Sequence, residues 1–239
     1  MSLRSCIPNF ITSMNLLCGS VGVVFALDGS FEDAFLFMIA GAVCDFLDGF
    51  AARLLGAYSD IGRELDSLAD VVTFGLLPSM MLCRLSSMLG GADAWYACIP
   101  LVMVAFSALR LAKFNVDDSQ GTFFAGLPTP ANALLCASLC CFTVSGGAEF
   151  LLRWASGPVF LPLLSLVLSL LLVSRIRMFS FKFHKGDARS LTVMRVSVIA
   201  LALLSAAACA LFAQHWSLAV LSTMLFYVVS NIILSIARV

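Results

Sequence analysis

Runs of about twenty mostly apolar residues recur along this chain, the length an α-helix needs to cross the hydrocarbon core of a bilayer. Eight segments fit, at approximately 8–28, 33–56, 62–84, 93–113, 128–146, 156–174, 191–213 and 216–237. Composition agrees: 61% of the 239 residues are hydrophobic and 12% are charged, against about 25% charged in a soluble domain. No repeat, linker or low-complexity stretch divides the chain. The expectation is an all-α, polytopic transmembrane helix bundle of about eight helices, forming one domain over residues 1–239.

The basic residues predict how the bundle is threaded. Cytoplasmic loops of membrane proteins carry an excess of Lys and Arg. With the N-terminus in the cytoplasm, eight spans leave only Arg84 and Arg153 on the far side and every other Lys and Arg on the near side. This predicts a protein of the cytoplasmic (inner) membrane with both termini inside. The first apolar run is interrupted by Pro8, Asn9, Thr12 and Asn15, so it reads as a membrane helix rather than a cleaved leader. Formal net charge is zero, with no polybasic tail to suggest nucleic acid. The nine cysteines are odd in number and scattered, and read as small packing residues. Trp95, Trp154 and Trp216 fall at the far-side ends and suit an aromatic belt. His184 and His215 read as interfacial and not catalytic. The two longer connections are 114–127 and the basic, aromatic stretch 174–190, which suggests an interfacial element.

Four carboxylates interrupt the apolar pattern at Asp45, Asp48, Asp66 and Asp70. An acid within a membrane segment is costly and faces a bundle interior, a partner or an ion. Residues three and four apart share a helix face, so Asp45 and Asp48 project together, as do Asp66 and Asp70. A short turn at 57–61 predicts that their two helices are antiparallel neighbours, with all four acids facing one cavity near the cytoplasmic surface. Arg53 and Arg63 are too few to neutralise the set. Hard oxygen donors suit Mg²⁺, Mn²⁺ or Ca²⁺, and magnesium commonly binds through a few carboxylates plus substrate phosphates. Gly49 and Ala52 leave room for a bulky group against the helix backbone, and Arg53 is placed to pair with a phosphate. Intramembrane acids also mark ion pathways, so an ion-coupled transporter is the alternative from a different class.

The spacing D-x-x-D-G-x-x-A-R-x(8)-G-x-x-x-D-x-x-x-D runs through Asp45, Asp48, Gly49, Ala52, Arg53, Gly62, Asp66 and Asp70. It resembles the signature of the CDP-alcohol phosphotransferase family at every defining position. The resemblance implies a membrane enzyme that moves a phosphatidyl group from a CDP-linked lipid to an alcohol and releases CMP. It implies that Asp45, Asp48 and Asp66 bind Mg²⁺ or Mn²⁺ and the CDP diphosphate. Asp70 then completes the metal site and acts as the catalytic base. The CDP-lipid-binding set it implies is Asp45, Asp48, Gly49, Ala52, Arg53, Gly62 and Asp66. It also implies a homodimer.

IPNFITSMNLLCG (7–19), SALRLAKFNV (107–116), GLPTPANA (126–133) and SRIRMFSFK (174–182) are similar to stretches of membrane-embedded bacterial and archaeal phosphatidylserine synthases. The implied substrates are CDP-diacylglycerol and L-serine, within the membrane lipids. The alternatives inside the family are glycerol phosphate, inositol phosphate or choline. Arg110, Lys113 and Lys182 are candidates for the serine carboxylate; Asn15 and Asn115 are candidates for its ammonium. Lys113 stands where arginine is expected more often, which keeps the charge and loses a bidentate fork. No Ser, Cys or His is placed within the motif as an obvious covalent nucleophile, so direct attack by the serine hydroxyl is expected. The last two helices carry no identifying motif.

Overall fold

The computed structural model describes residues 3–90, 95–116, 123–146, 149–179 and 189–237. Its helices are α1 (Leu3–Asp28), α2 (Phe31–Leu55), α3 (Asp60–Gly90), α4 (Trp95–Val116), α5 (Thr129–Val144), α6 (Glu149–Ala155), α7 (Phe160–Val173), α8 (Arg189–Leu211) and α9 (Ser217–Ala237). Each of the eight expected segments is helical. Among the described residues, six helices are long and apolar enough to cross a membrane, or seven if α5 and α6 form one broken span. The expected span at 156–174 is shorter than predicted. Its helix, α7, has 14 residues and rises about 21 Å at 1.5 Å per residue, short of a ~30 Å hydrocarbon core. Large apolar side chains such as Phe10, Phe46 and Leu54 face outward, as lipid-facing residues do. All nine cysteines are free, in line with a packing role.

The core gathers around α5, whose residues 135–143 are all buried. The helices that carry the aspartates are held differently from the expected hairpin. Gly29 and Ser30 make a tight turn that folds α2 back along α1. Gly56 then ends α2 in the left-handed conformation, with Ala57 N donating to Ala52 O and Gly56 N donating to Arg53 O. This pair of bonds is a Schellman motif and satisfies the last carbonyls of the helix. Ser59 restarts the chain as an N-cap, its Oγ accepting from Gly62 N at 3.0 Å. The turn is short, yet α2 and the first part of α3 make few direct backbone contacts; α1 packs against both. The predicted neighbours are therefore separated by a groove, and α1 is its floor.

That packing depends on close approach. A Cβ on Gly19 of α1 would overlap Thr73 Oγ1 and sit 2.9 Å from Thr73 Cα. Small residues at such crossings let membrane helices meet through their backbones. Thr73 lies in a π-helical stretch, Val71–Leu76, that interrupts α3 directly after Asp70. The wider turn shifts every later side chain of α3 relative to a regular helix.

The two longer connections are ordered together. Phe123–Ala125 (β1) and Arg177–Phe179 (β2) form a two-stranded antiparallel ladder, pairing Phe123 with Phe179 and Ala125 with Arg177. Gly126 N donates to Ile176 O and Leu127 N to Leu171 O, extending the join towards α5 and α7. The last helix fixes β2 from beneath, through Asn231 Oδ1 accepting from Phe179 N and Tyr227 Oη donating to Phe179 O. At the other end of α9, His215 pairs with Glu32 at 2.8 Å, joining that end to the start of α2. His184 lies outside the described residues.

Overpacking a close crossing typically costs about 1–3 kcal/mol. Gly19→Ala is expected to lower the thermal unfolding midpoint of the detergent-purified protein. An unchanged midpoint would show that α1 and α3 can move apart without loss.

Candidate functional site

The groove between α2 and α3 holds the aspartates. Asp45 and Asp48 descend from the last turns of α2, and Asp66 and Asp70 from the first turns of α3. Asp45, Asp48 and Asp66 each place one carboxylate oxygen within 4.8 Å of the other two. Asp70 stands one helical turn further along and shares the same cavity wall. The predicted convergence of four acids from two helices is present, with three forming a tight triad.

This triad fits a divalent cation on two counts. Its donors are hard oxygens, and Asp66 Oδ1 is buried with no hydrogen-bond partner among the described residues. No described Lys or Arg forms an ion pair with any of the four. Arg63 pairs instead with Asp60 and Glu64, away from the cluster.

Helix α1 supplies the polar support. Thr12 Oγ1 lies 2.6 Å from Asp48 Oδ2, and Asn15 Nδ2 donates to Asp70 Oδ1 at 3.3 Å. Asn9, Thr12 and Asn15 are spaced three apart, which puts them on one face of α1 towards the groove. That spacing was the available signal for the support of Asp48 by Thr12. In the sequence these residues read only as interruptions of an apolar run, and Asn15 as a candidate for the serine ammonium.

Two cavities meet at the triad, sharing Asp48, Gly49 and Asp66. The smaller, of about 510 Å³, lies between the start of α1 and the α2–α3 turn and is lined by Asn9, Ala52, Tyr58, Gly62 and Arg63. Nothing lies within 4 Å of where a Gly49 Cβ would point, so the absent side chain leaves open space beside the acids. The larger, of about 800 Å³, contains Asp45, Asp70, Arg53 and Arg110, and is closed by Thr129, Phe179, Met224 and Tyr227. Tyr227 and Met224 belong to α9, where the sequence offered no motif.

The predicted acceptor residues separate. Arg110 lines the larger cavity, with Nη1 3.4 Å from Thr129 Oγ1 and a buried Nε without a partner among the described residues. Lys113 is exposed and lines neither cavity. Asn115 Nδ2 donates to Ser67 Oγ at 2.9 Å, tying α4 to α3. Asn15 is fully buried against Asp70 and Thr73. Lys182 lies outside the described residues.

Residues 5–162 match the family model described as CDP-alcohol phosphatidyltransferase. The chain is 37% identical over 181 residues to the CDP-diacylglycerol–serine O-phosphatidyltransferase of Bacillus subtilis, covering 76% of this chain and 94% of that protein. It is 35% identical over 179 residues to the protein of the same name from Mycobacterium leprae, covering 72% of this chain and 57% of the longer relative. A third relative of that name, from Helicobacter pylori, is 33% identical over 184 residues, covering 76% and 75%. With the aspartate signature, its placement at a two-lobed cavity and these matches together, the chain belongs to the CDP-alcohol phosphatidyltransferase family.

Proposed function

We propose that this protein transfers the phosphatidyl group of CDP-diacylglycerol to the hydroxyl of L-serine, giving phosphatidylserine and CMP. The observation that carries the reading is the meeting of two cavities at one aspartate triad, in a chain whose relatives bear that enzyme's name. The smaller cavity takes the nucleotide. Gly49 and Ala52 give the pyrimidine and ribose room against α2, and Asn9 Nδ2, buried and without a partner among the described residues, offers it a donor. The diphosphate then lies at the shared wall, within reach of Asp48 and Asp66, with Arg53 and Gly62 beside it.

Asp45, Asp48 and Asp66 would hold Mg²⁺ or Mn²⁺, with Asp70 completing the set. The ion, when bound, offsets charge on the phosphoryl oxygens and on departing CMP. Serine enters the larger cavity. Its carboxylate pairs with Arg110, whose Nε, without a partner among the described residues, gives the site a charged donor that choline would not use. The serine hydroxyl attacks the phosphorus that bears the diacylglycerol. The new P–O bond forms as the bond to CMP breaks, and the hydroxyl proton passes to Asp70. A serine hydroxyl is a poor nucleophile without such a base. The transfer is direct, so trapping a covalent phosphatidyl-protein adduct would exclude it. The surrounding membrane is the cytoplasmic one, with the site and both termini facing the cytoplasm and no nucleic acid as partner.

Metal removal provides the first test. EDTA-stripped protein is expected to release no CMP from CDP-diacylglycerol and serine, and added Mg²⁺ or Mn²⁺ to restore release; Asp45→Asn and Asp66→Asn should stay inactive with metal present. Full turnover after stripping would reject the role of the triad.

The division between the cavities gives a paired test. Ala52→Leu is expected to raise the KM for CDP-diacylglycerol with little change for serine. Arg110→Met is expected to raise the KM for serine by about 10-fold or more, as loss of a charge-assisted hydrogen bond worth ~1.5–3 kcal/mol implies. Equal effects of either variant on both substrates would place the ligands elsewhere. The homodimer implied by family resemblance should appear as a cross-linked pair in native membranes, and a monomer there and in mild detergent would count against it.

A further inference from the structure

The surroundings of Asp70 contain a short relay that lies behind the lining of the two cavities. Asp70 ends the Asp60–Asp70 stretch of α3, and the π-helical turn begins at the next residue. That turn carries Thr73 to α1, where Thr73 Oγ1 lies 2.8 Å from Asn15 Oδ1 and 3.1 Å from Asn15 O. On its other side, Asn15 Nδ2 lies 3.3 Å from Asp70 Oδ1. Asn15 and Thr73 are each 0% exposed, and neither lines either of the two cavities that meet at the triad.

An amide presents a donor at one end and an acceptor at the other, and an ionised carboxylate only accepts. The relay therefore has one workable direction around an ionised Asp70. Thr73 donates to Asn15 Oδ1, and the Asn15 amide turns its Nδ2 hydrogens towards Asp70. The opposite amide orientation would aim a carbonyl oxygen at the carboxylate. Helix α2 closes the space around this arrangement. A Cβ on Gly41 would lie 2.7 Å from Thr73 Cγ2 and 2.9 Å from Asn15 Oδ1, so the amide has little room to swing away.

We propose that Asn15 and Thr73 are positioning residues for the base. Thr73 sets the direction of the Asn15 amide, and Asn15 holds one oxygen of Asp70 so that the other is presented to the acceptor hydroxyl. This rests on the reading of Asp70 as the base in phosphatidyl transfer. It moves Asn15 from contact with serine to control of the group that serine meets. Hydrogen-bonded partners of this kind typically change activity by about 10–100-fold when removed.

Two substitutions at one position separate positioning from packing. Thr73→Val keeps the branched shape and removes the donor; Thr73→Ser keeps the donor and removes the methyl group. With full-length protein, CDP-diacylglycerol and L-serine, Thr73→Val is expected to lower kcat by about 10–100-fold with the KM for CDP-diacylglycerol unchanged, while Thr73→Ser stays close to the parent. A role in packing alone gives the reverse order, and that order would overturn the proposal. A second readout needs neither metal nor turnover. Infrared difference spectra of the metal-free protein against Asp70→Asn isolate the band of the Asp70 carboxyl group, which should move in Thr73→Val and hold in Thr73→Ser. An unmoved band in Thr73→Val would refute the relay. Parent-like turnover by Asp70→Asn would remove the reading of Asp70 on which the proposal stands. An inactive Asp70→Asn beside a fully active Thr73→Val would sink the positioning role alone.

Discussion

Carboxylates in a medium poor in water must be matched by a cation or by hydrogen-bond donors, and much of this bundle can be understood from that requirement. An unpaired charge at membrane depth is expensive, and breaking up a buried charged set by removing one partner is more damaging than never having had it. Here the described arginines near the acids do not neutralise them. Arg63 turns to Asp60 and Glu64, and Arg110 reaches Thr129. What α1 provides instead is neutral donors, Thr12 to Asp48 and Asn15 to Asp70. Neutral donors stabilise the carboxylates without cancelling their charge, which leaves the triad able to attract a divalent ion.

The place of α1 follows from the same need. Direct packing of α2 against α3 would press the acids together and close the groove. With α1 as a floor, the two helices stand apart by enough for side chains from both sides to meet around a cavity. Holding α1 that close to α3 requires Gly19 at the crossing with Thr73. The π-helical turn is set at the same crossing, and it lets Thr73 face α1 while Asp70 still faces the cavity. Departures from regular helix often mark functional sites, and this one joins the floor of the groove to one of its acids.

The far wall of the site is assembled from distant parts of the chain. The β1–β2 ladder brings Phe179 over the larger cavity, and α9 supports it through Tyr227 and Asn231. Tyr227 and Met224 then line the cavity themselves. The far wall of the cavity is thus shaped by a different set of elements from the helices that carry the aspartates.

Apolar run length and the aspartate spacing determined, without any structure, that this chain is a helical membrane bundle and that Asp45, Asp48, Asp66 and Asp70 share a site. Both are local properties: a 20-residue apolar run can satisfy its backbone only as a helix, and residues three or four apart share a face whatever surrounds them. Tertiary structure alone decided that α1 lies beneath α2 and α3, that α7 is shorter than its apolar stretch, and that Tyr227 and Phe179 close the cavity. It also separated Arg110 from Lys113, since positive charge at a helix end looks the same in sequence at both. Only packing turns one into the cavity that holds the acids and leaves the other exposed. Those outcomes turn on contacts between residues far apart in the chain, which no local pattern of apolar and polar residues encodes.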